Sequence, residues 1–531
     1  MKNIAFTAIL GALAAQASGV ENRPNIVVIL VDDMGYSDIG CFGSEIRTPN
    51  IDRLAREGMS MTQFYNTGRS CPSRAALLTG MYHHKAGMGA MIRPVGDIPA
   101  YQGYLNANCM TIAEALGANG YATYMSGKWH LGDKPGQWPA DRGFQNSYVF
   151  LGGACNYYHP NKPGSKSSNM ARNHDYISVP GEGFYMTDVL SDEAAKFIGE
   201  NPRDKPFFLY LAYTAPHWPL QAPAENIARY KGVYDRGWDW MRRQRYERMV
   251  KSGIVGKNEK LSPRNEEVPS WEGLGDADKA RWARLMELYA GVIDRMDHGV
   301  GVVIDALQKS GQLDNTVVMF LSDNGGCREE TKDFADQKDY PGVWGSGESF
   351  QCYELWANLS NTPFRYFKRW MHEGGISTPL IVRYPKMVKK GSKNNVPAHL
   401  IDIMPTCLAL SSTSYPAEKN LKPLDGISLT PLLGGSDSPL HDALLFEHLG
   451  FRALRAGDWK IVSSFPDNKW QLYNMALDRS ELNDLSDQMP EKVEELASLY
   501  RSKAAESEVT DWREVMQRNR QMSETKTKTK K

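Results

Sequence analysis

Residues 25–33 read NIVVILVDD. The run Ile26–Val31 is apolar without interruption and then stops at two carboxylates. A half-buried strand would alternate apolar and polar residues, so an unbroken Val/Ile run predicts a strand covered on both faces, as in a parallel sheet. Phe207–Tyr213 (FFLYLAY), Thr316–Leu321 (TVVMFL) and Leu380–Tyr384 (LIVRY) read the same way, and Tyr121–Met125 more weakly. Amphipathic helices are predicted between them, over Thr48–Glu57 and Lys279–Lys309. The alternation predicts an α/β fold, a large mostly parallel sheet sandwiched by helices.

Later in the chain, Ala443–Glu447, Trp459–Val462 and Trp470–Tyr473 are predicted as short strands, followed by a helix over Pro490–Tyr500. They imply a smaller C-terminal α+β domain on a short antiparallel sheet. The expected organisation is a signal peptide over 1–17, a catalytic domain over 23–410, a linker region over 411–440, a C-terminal subdomain over 441–510 and a polar, partly disordered tail over 511–531. Residues 222–278 form a polar, Trp-rich insertion, and 328–360 a long aromatic loop.

The chain has 531 residues with 62 basic and 62 acidic side chains, so its net charge is zero. Its length calls for more than one core, and its charge draws it globally to neither nucleic acid nor a membrane surface. The start, MKNIAFTAILGALAAQA, has the basic, apolar and small-residue order of a signal peptide, which predicts export to the periplasm or medium. No later run of 18 apolar residues predicts a membrane span. Seven cysteines without a CxxC argue against a structural zinc site or a dense disulfide framework.

Ligands of open α/β sheets collect beyond the carboxyl ends of the strands. Asp32 and Asp33 follow the first strand, Asp323 and Asn324 follow Ser322, and His217 closes Thr214-Ala215-Pro216-His217. Such carboxylates repel unless a cation lies among them, and all-oxygen donors suit a hard divalent ion, Ca²⁺ or Mg²⁺. Gly127-Lys128-Trp129-His130-Leu131-Gly132 follows the weaker strand, and an extended backbone there would aim Lys128 and His130 one way. Residues 68–80, GRSCPSRAALLTG, carry Pro72 in the first turn of a predicted helix. Ser70 then lies at the helix N-terminus, Arg74 one turn on along the same face, and Cys71 about 100° away toward the packing side.

Together these residues resemble the type I sulfatases of the alkaline phosphatase superfamily. The family signature [C/S]-x-P-S-R followed by x-x-x-L-T-G appears as Ser70-Cys71-Pro72-Ser73-Arg74 and Leu78-Thr79-Gly80. The resemblance is to the serine-type branch and implies an alkaline phosphatase-like sheet and conversion of Ser70 to formylglycine (3-oxoalanine) by a maturation enzyme. It implies Ca²⁺ held by Asp32, Asp33, Asp323 and Asn324, with residue 70 completing the shell. It implies that Arg74, Lys128 and Lys368 grip the sulfate, that His217 protonates the leaving group, and that His130 serves the nucleophile. Lys368 stands in KRWMHEGG, residues 368–375, where His372 occupies a position that is more often aromatic; packing is the expected role, with contact to substrate the alternative.

The implied activity is hydrolysis of sulfate monoesters, on a sulfated glycan or an aryl sulfate. A phosphodiesterase or phosphonate monoester hydrolase of the same superfamily is the alternative. A sulfated-glycan binding protein would remain if residue 70 stayed serine. Trp218, Tyr340, Trp344 and Trp356 are candidates for stacking on a sugar, and Glu447, His448 and Arg452 for reaching in from the C-terminal unit.

Overall fold

The computed structural model describes residues 23–160, 169–329, 343–417 and 420–529. The predicted signal peptide and Tyr340 lie outside them. Eleven strands form the large sheet: β1 (Asn25–Val31), β2 (Met59–Tyr65), β3 (Ala122–Lys128), β4 (Asn146–Phe150), β5 (Met170–Arg172), β6 (Asp175–Tyr176), β7 (Phe207–Ala212), β8 (Thr316–Ser322), β9 (Ser377–Arg383), β10 (Ser392–Asn394) and β11 (Ala398–His399). The order is β10-β2-β9-β8-β1-β7-β3-β4-β5-β6, with β11 also on β2. A separate four-stranded sheet follows: β12 (Leu444–His448), β13 (Phe451–Ala456), β14 (Trp459–Ser463) and β15 (Trp470–Asn474).

β1 lies between β7 and β8 and is parallel to both. All seven of its residues are buried, as an unbroken apolar run requires. Its side chains alternate between two cores. Val27, Ile29 and Val31 face one packed layer, and Ile26, Val28 and Leu30 face the other. The helix Asp276–Lys309 covers the first face and Ser70–Thr79 contributes to the second. β9 departs from the parallel pattern and runs antiparallel to both β2 and β8.

The Trp-rich insertion is not a surface excursion. Its helix Gly237–Ser252 buries Trp238, whose ring lies 4.7 Å from Trp271 and 5.4 Å from Trp356. Trp356 is fully buried there and donates to the Trp282 carbonyl, so it packs and is not a sugar platform. Within the stretch expected as a linker, Leu429, Leu432 and Leu433 enter the second core. The C-terminal sheet adds Leu445, Leu454, Ile461 and Leu472 to that same core, backed by the helix Pro490–Glu506. The helix Trp512–Thr529 occupies ground where polar composition predicts disorder. Cys41, Cys71, Cys109, Cys155, Cys327 and Cys407 carry free thiols. Among the described residues no helix is long and apolar enough to cross a membrane.

Candidate active site

Parallel strands send their chain ends to one edge of the sheet, so β1, β3, β7 and β8 deliver their following residues to one place. Asp32 and Asp33 leave β1, and Asp323 and Asn324 leave β8 directly beside them. The backbone N–H of Asp33 reaches Asp323 Oδ1 (3.3 Å), and Asn324 Nδ2 reaches Asp33 Oδ1 (2.7 Å). These four side chains are at most 1% exposed.

Ser70 opens the helix Ser70–Thr79 and aims at this cluster. Its hydroxyl lies 2.8 Å from Asp32 Oδ1 and 3.5 Å from Asn324 Oδ1. Arg74, one turn on, holds Asp323 Oδ2 through Nε (3.2 Å) and Nη2 (2.8 Å), and donates from Nη1 to the Lys128 carbonyl. Cys71 faces the opposite way, fully buried in the second core, where burial pushes its thiol up to about 12. A thiol in that setting is not a nucleophile.

Each carboxylate has its own basic partner. Lys128 Nζ binds Asp32, Arg74 binds Asp323, and Lys368 Nζ lies 2.8 Å from Asp33 Oδ2. The repulsion expected between the carboxylates is thus relieved in part by the chain's own cations. Burial opposes ionisation of Asp32, yet Lys128, His217, Arg74 and Lys368 hold its carboxyl well below the usual range. Asp323 goes the other way: burial and the neighbouring Asp32 push it up to about 7. Lys368 is raised because Asp33, Cys327 and Glu329 outweigh its burial.

His217 Nε2 lies 3.4 Å from Asp33 Oδ2, and its Nδ1 lies 2.7 Å from the Trp218 carbonyl. A carbonyl only accepts, so Nδ1 carries a proton and Nε2 is the exchangeable nitrogen. Burial lowers the pKa of this ring against the pull of Asp33 and Asp32. His130 is buried too, and burial with the charges of Lys128 and Arg74 keeps it neutral. The extended geometry predicted to align Lys128 with His130 ends at Lys128. His130 is left-handed (φ 56°), and Trp129 packs away with its indole N–H on the Gln137 carbonyl.

Sequence reasoning missed Glu329. It accepts from Trp218 Nε1 (2.7 Å) and lies 3.2 Å from Arg69 and 3.7 Å from Lys368. No motif announces it, because an isolated Glu in a loop carries no spacing signal. Trp218 stays at the site, with its ring 4.4 Å from His217. His372 packs as expected, bonding Gln471 at 3.0 Å. Arg452 lies over Trp470 and does not reach the carboxylate cluster, while Glu447 and His448 are buried beside His83 and His84.

The donor set fits a hard cation. Oxygens of three carboxylates, one amide and one hydroxyl are linked by pairwise contacts in one buried cluster, with no thiolate among these five residues. Ligand atoms of Asp32, Asp33 and His217 lie within 4.8 Å of one another, close enough to share one ion.

The chain resembles known proteins over nearly its whole length. It is 36% identical to an arylsulfatase of Klebsiella aerogenes over 80% of this chain and 94% of that one. It is 34% identical to an uncharacterized sulfatase of Schizosaccharomyces pombe, over 94% and 96%. The crystal structure of Ps i-CgsB in complex with k-i-k-neocarrahexaose superposes with a TM-score of 0.69 at 30% identity, covering 92% of this chain and 94% of that one. The C-terminal family of N-sulphoglucosamine sulphohydrolase matches residues 363–510. The Sulfatase family matches residues 24–413, and the chain therefore belongs to it, as a sulfuric ester hydrolase and type I sulfatase of the alkaline phosphatase superfamily.

Proposed function

We propose that this sulfatase removes sulfate from a sulfated carbohydrate, with residue 70 oxidised to formylglycine and Ca²⁺ held by Asp32, Asp33, Asp323 and Asn324. The observation that carries the reading is the Ser70 hydroxyl, 2.8 Å from Asp32 and 3.5 Å from Asn324, with Arg74 and Lys128 both paired to that same Asp32. The carbohydrate preference is supported by the glycan held in the Ps i-CgsB structure. When present, the hydrated aldehyde supplies a hydroxyl nucleophile and Ca²⁺ a Lewis acid toward sulfate oxygens.

The chain's own residues do the rest. Asp323 and the Lys128 carbonyl fix the Arg74 guanidinium at the head of the helix, where its charge and the helix N-terminus both favour an anion. Lys128 and Lys368 add two charges on either side of Asp32 and Asp33. His217, locked by the Trp218 carbonyl, holds or gives its proton at Nε2, the nitrogen facing the site. Neutral His130 is suited to accept a proton from the residue-70 hydroxyls.

Mass spectrometry of the residue-70 peptide from the producing host should show the oxidised residue. The purified protein should turn over an aryl sulfate well ahead of the matching aryl phosphate, and a panel of defined sulfated mono- and disaccharides should contain a substrate. Chelation should abolish turnover and lower the melting temperature, and added Ca²⁺ should restore both. Unmodified Ser70 in fully active enzyme, or full activity in protein shown by elemental analysis to be metal-free, would refute the reading.

A further inference from the structure

A second polar cluster lies behind the nucleophile helix. After Thr79 the chain turns at Gly80 and presents His83 and His84. From the other side, β12 of the C-terminal sheet ends in Glu447 and His448. All four side chains are at most 3% exposed. Ligand atoms of His83, His84 and Glu447 lie within 4.8 Å of one another, the His83 and His84 rings are 4.0 Å apart, and the His448 ring is 6.4 Å from that of His83.

Two of these residues are left without the partners that burial demands. Neither ring nitrogen of His83 or of His448 makes a well-formed hydrogen bond. A backbone group of Glu447 faces His83, and one of Gly89 faces His448. Glu447 is oriented from behind, with Oε1 accepting the Gly450 N–H at 2.7 Å and Oε2 turned to His84 Nε2 at 2.7 Å. Burial and the neighbouring histidines keep His83 neutral, and burial with Arg69 and His84 keeps His448 neutral. Neutral imidazoles have lone pairs to donate, and a backbone carbonyl behind one nitrogen is the usual support for ligation through the other.

We propose that His83, His84 and Glu447 form a transition-metal site that takes Zn²⁺, completed by His448 once its ring closes in from the 6.4 Å at which it stands from His83. Imidazole nitrogens with one carboxylate and no thiol suit Zn²⁺, whereas Ca²⁺ prefers an all-oxygen shell such as that around Asp32. A sugar does not fit, because the free nitrogens have no solvent-accessible surface through which a ring could approach. Binding exchanges the His84–Glu447 hydrogen bond for two bonds to the ion and gives His83 and His448 the partners they lack. The ion would join the turn after the nucleophile helix to the C-terminal sheet, 363 residues apart in sequence.

The test uses the full chain in Ca²⁺-containing buffer. After incubation with ZnCl₂ and gel filtration, elemental analysis should find about one zinc per chain, with a rise of several degrees in melting temperature. His83→Ala and His448→Ala should each lose zinc and the rise while keeping calcium, and Asp32→Asn should keep the zinc. If the histidine variants fail to fold, the wild-type chain loaded with Co²⁺ decides: imidazole ligation gives visible d–d absorption, displaced by Zn²⁺. No retained zinc with no Co²⁺ spectrum would show that the cluster holds only water and overturn the proposal. So would zinc kept in His83→Ala but lost in Asp32→Asn, which would place the ion at the catalytic carboxylates.

Discussion

Ser70 and Cys71 are neighbours in the chain, but the Ser70 hydroxyl faces Asp32 and Asn324 while the Cys71 sulfur is packed in the second core. Ser70→Ala should therefore lose essentially all turnover, because a methyl group can be neither oxidised nor deprotonated. Cys71→Ser should keep its catalytic rate but unfold more easily by about 1–3 kcal/mol, the usual cost of a buried hydroxyl without a partner. Turnover and urea unfolding of both variants check this, and an inactive Cys71→Ser with an active Ser70→Ala would reverse the assignment. His217 and His130 should fail differently. His217→Ala should hurt sugar and alkyl sulfates far more than activated aryl sulfates, because only a poor leaving group needs the proton from Nε2. His130→Ala should slow both classes, and an equal loss on both for His217→Ala would remove it from the role of acid.

At the scale of the element, β3 shows how a strand is tuned to deliver one side chain. The apolar pattern runs only over Tyr121–Met125, yet the strand continues to Lys128. Gly127 has φ 120°, and a Cβ there would meet the Ala212 carbonyl oxygen of β7 at 1.9 Å. Glycine lets β3 lie close to β7 while turning Lys128 toward Asp32. Gly127→Ala should cost about 3 kcal/mol from backbone strain and overpacking together. It should also lower kcat/KM at temperatures where the protein is still folded, since Lys128 moves with the backbone. Urea midpoints and steady-state kinetics on one preparation separate the two effects. β13 was missed for a different reason. FRALRA is rich in good helix formers, and only its pairing between β12 and β14 makes it a strand.

At the scale of the molecule, the C-terminal sheet is fastened to the catalytic sheet by a buried ionic network. Lys460 of β14 lies 2.8 Å from both Glu373 and Glu481, and Arg479 lies 2.9 Å from Glu373, which also accepts from Tyr65 of β2. Lys460→Met should destabilise the fold by about 3–5 kcal/mol, because two carboxylates lose their shared cation in a buried site. Burial opposes ionisation of Glu373, but Lys460, Arg479 and Arg455 hold its pKa near 2, against 4.5 for a free glutamate. A lowered carboxyl pKa means the unfolded chain binds the proton first. The stability it contributes is therefore complete above pH 4.5 and is lost as pH falls toward 2. Across that window unfolding midpoints should fall less steeply in Glu373→Gln than in the wild type.

The amino-acid order by itself determined the buried central strands, the parallel α/β plan, the carboxylates at the ends of β1 and β8, and the register of Ser70 against Arg74. Each of these depends on residues close together in the chain, where periodicity and helix geometry act directly. Only the tertiary structure decided which cation answers which carboxylate, that His217 presents Nε2, that Glu329 joins the site, that Trp356 packs as core, and that His84 meets Glu447. Those pairings bring together residues far apart in the chain. Their partners are chosen by how the sheets pack and by the need to satisfy charge out of water, and no local pattern in the sequence records that choice.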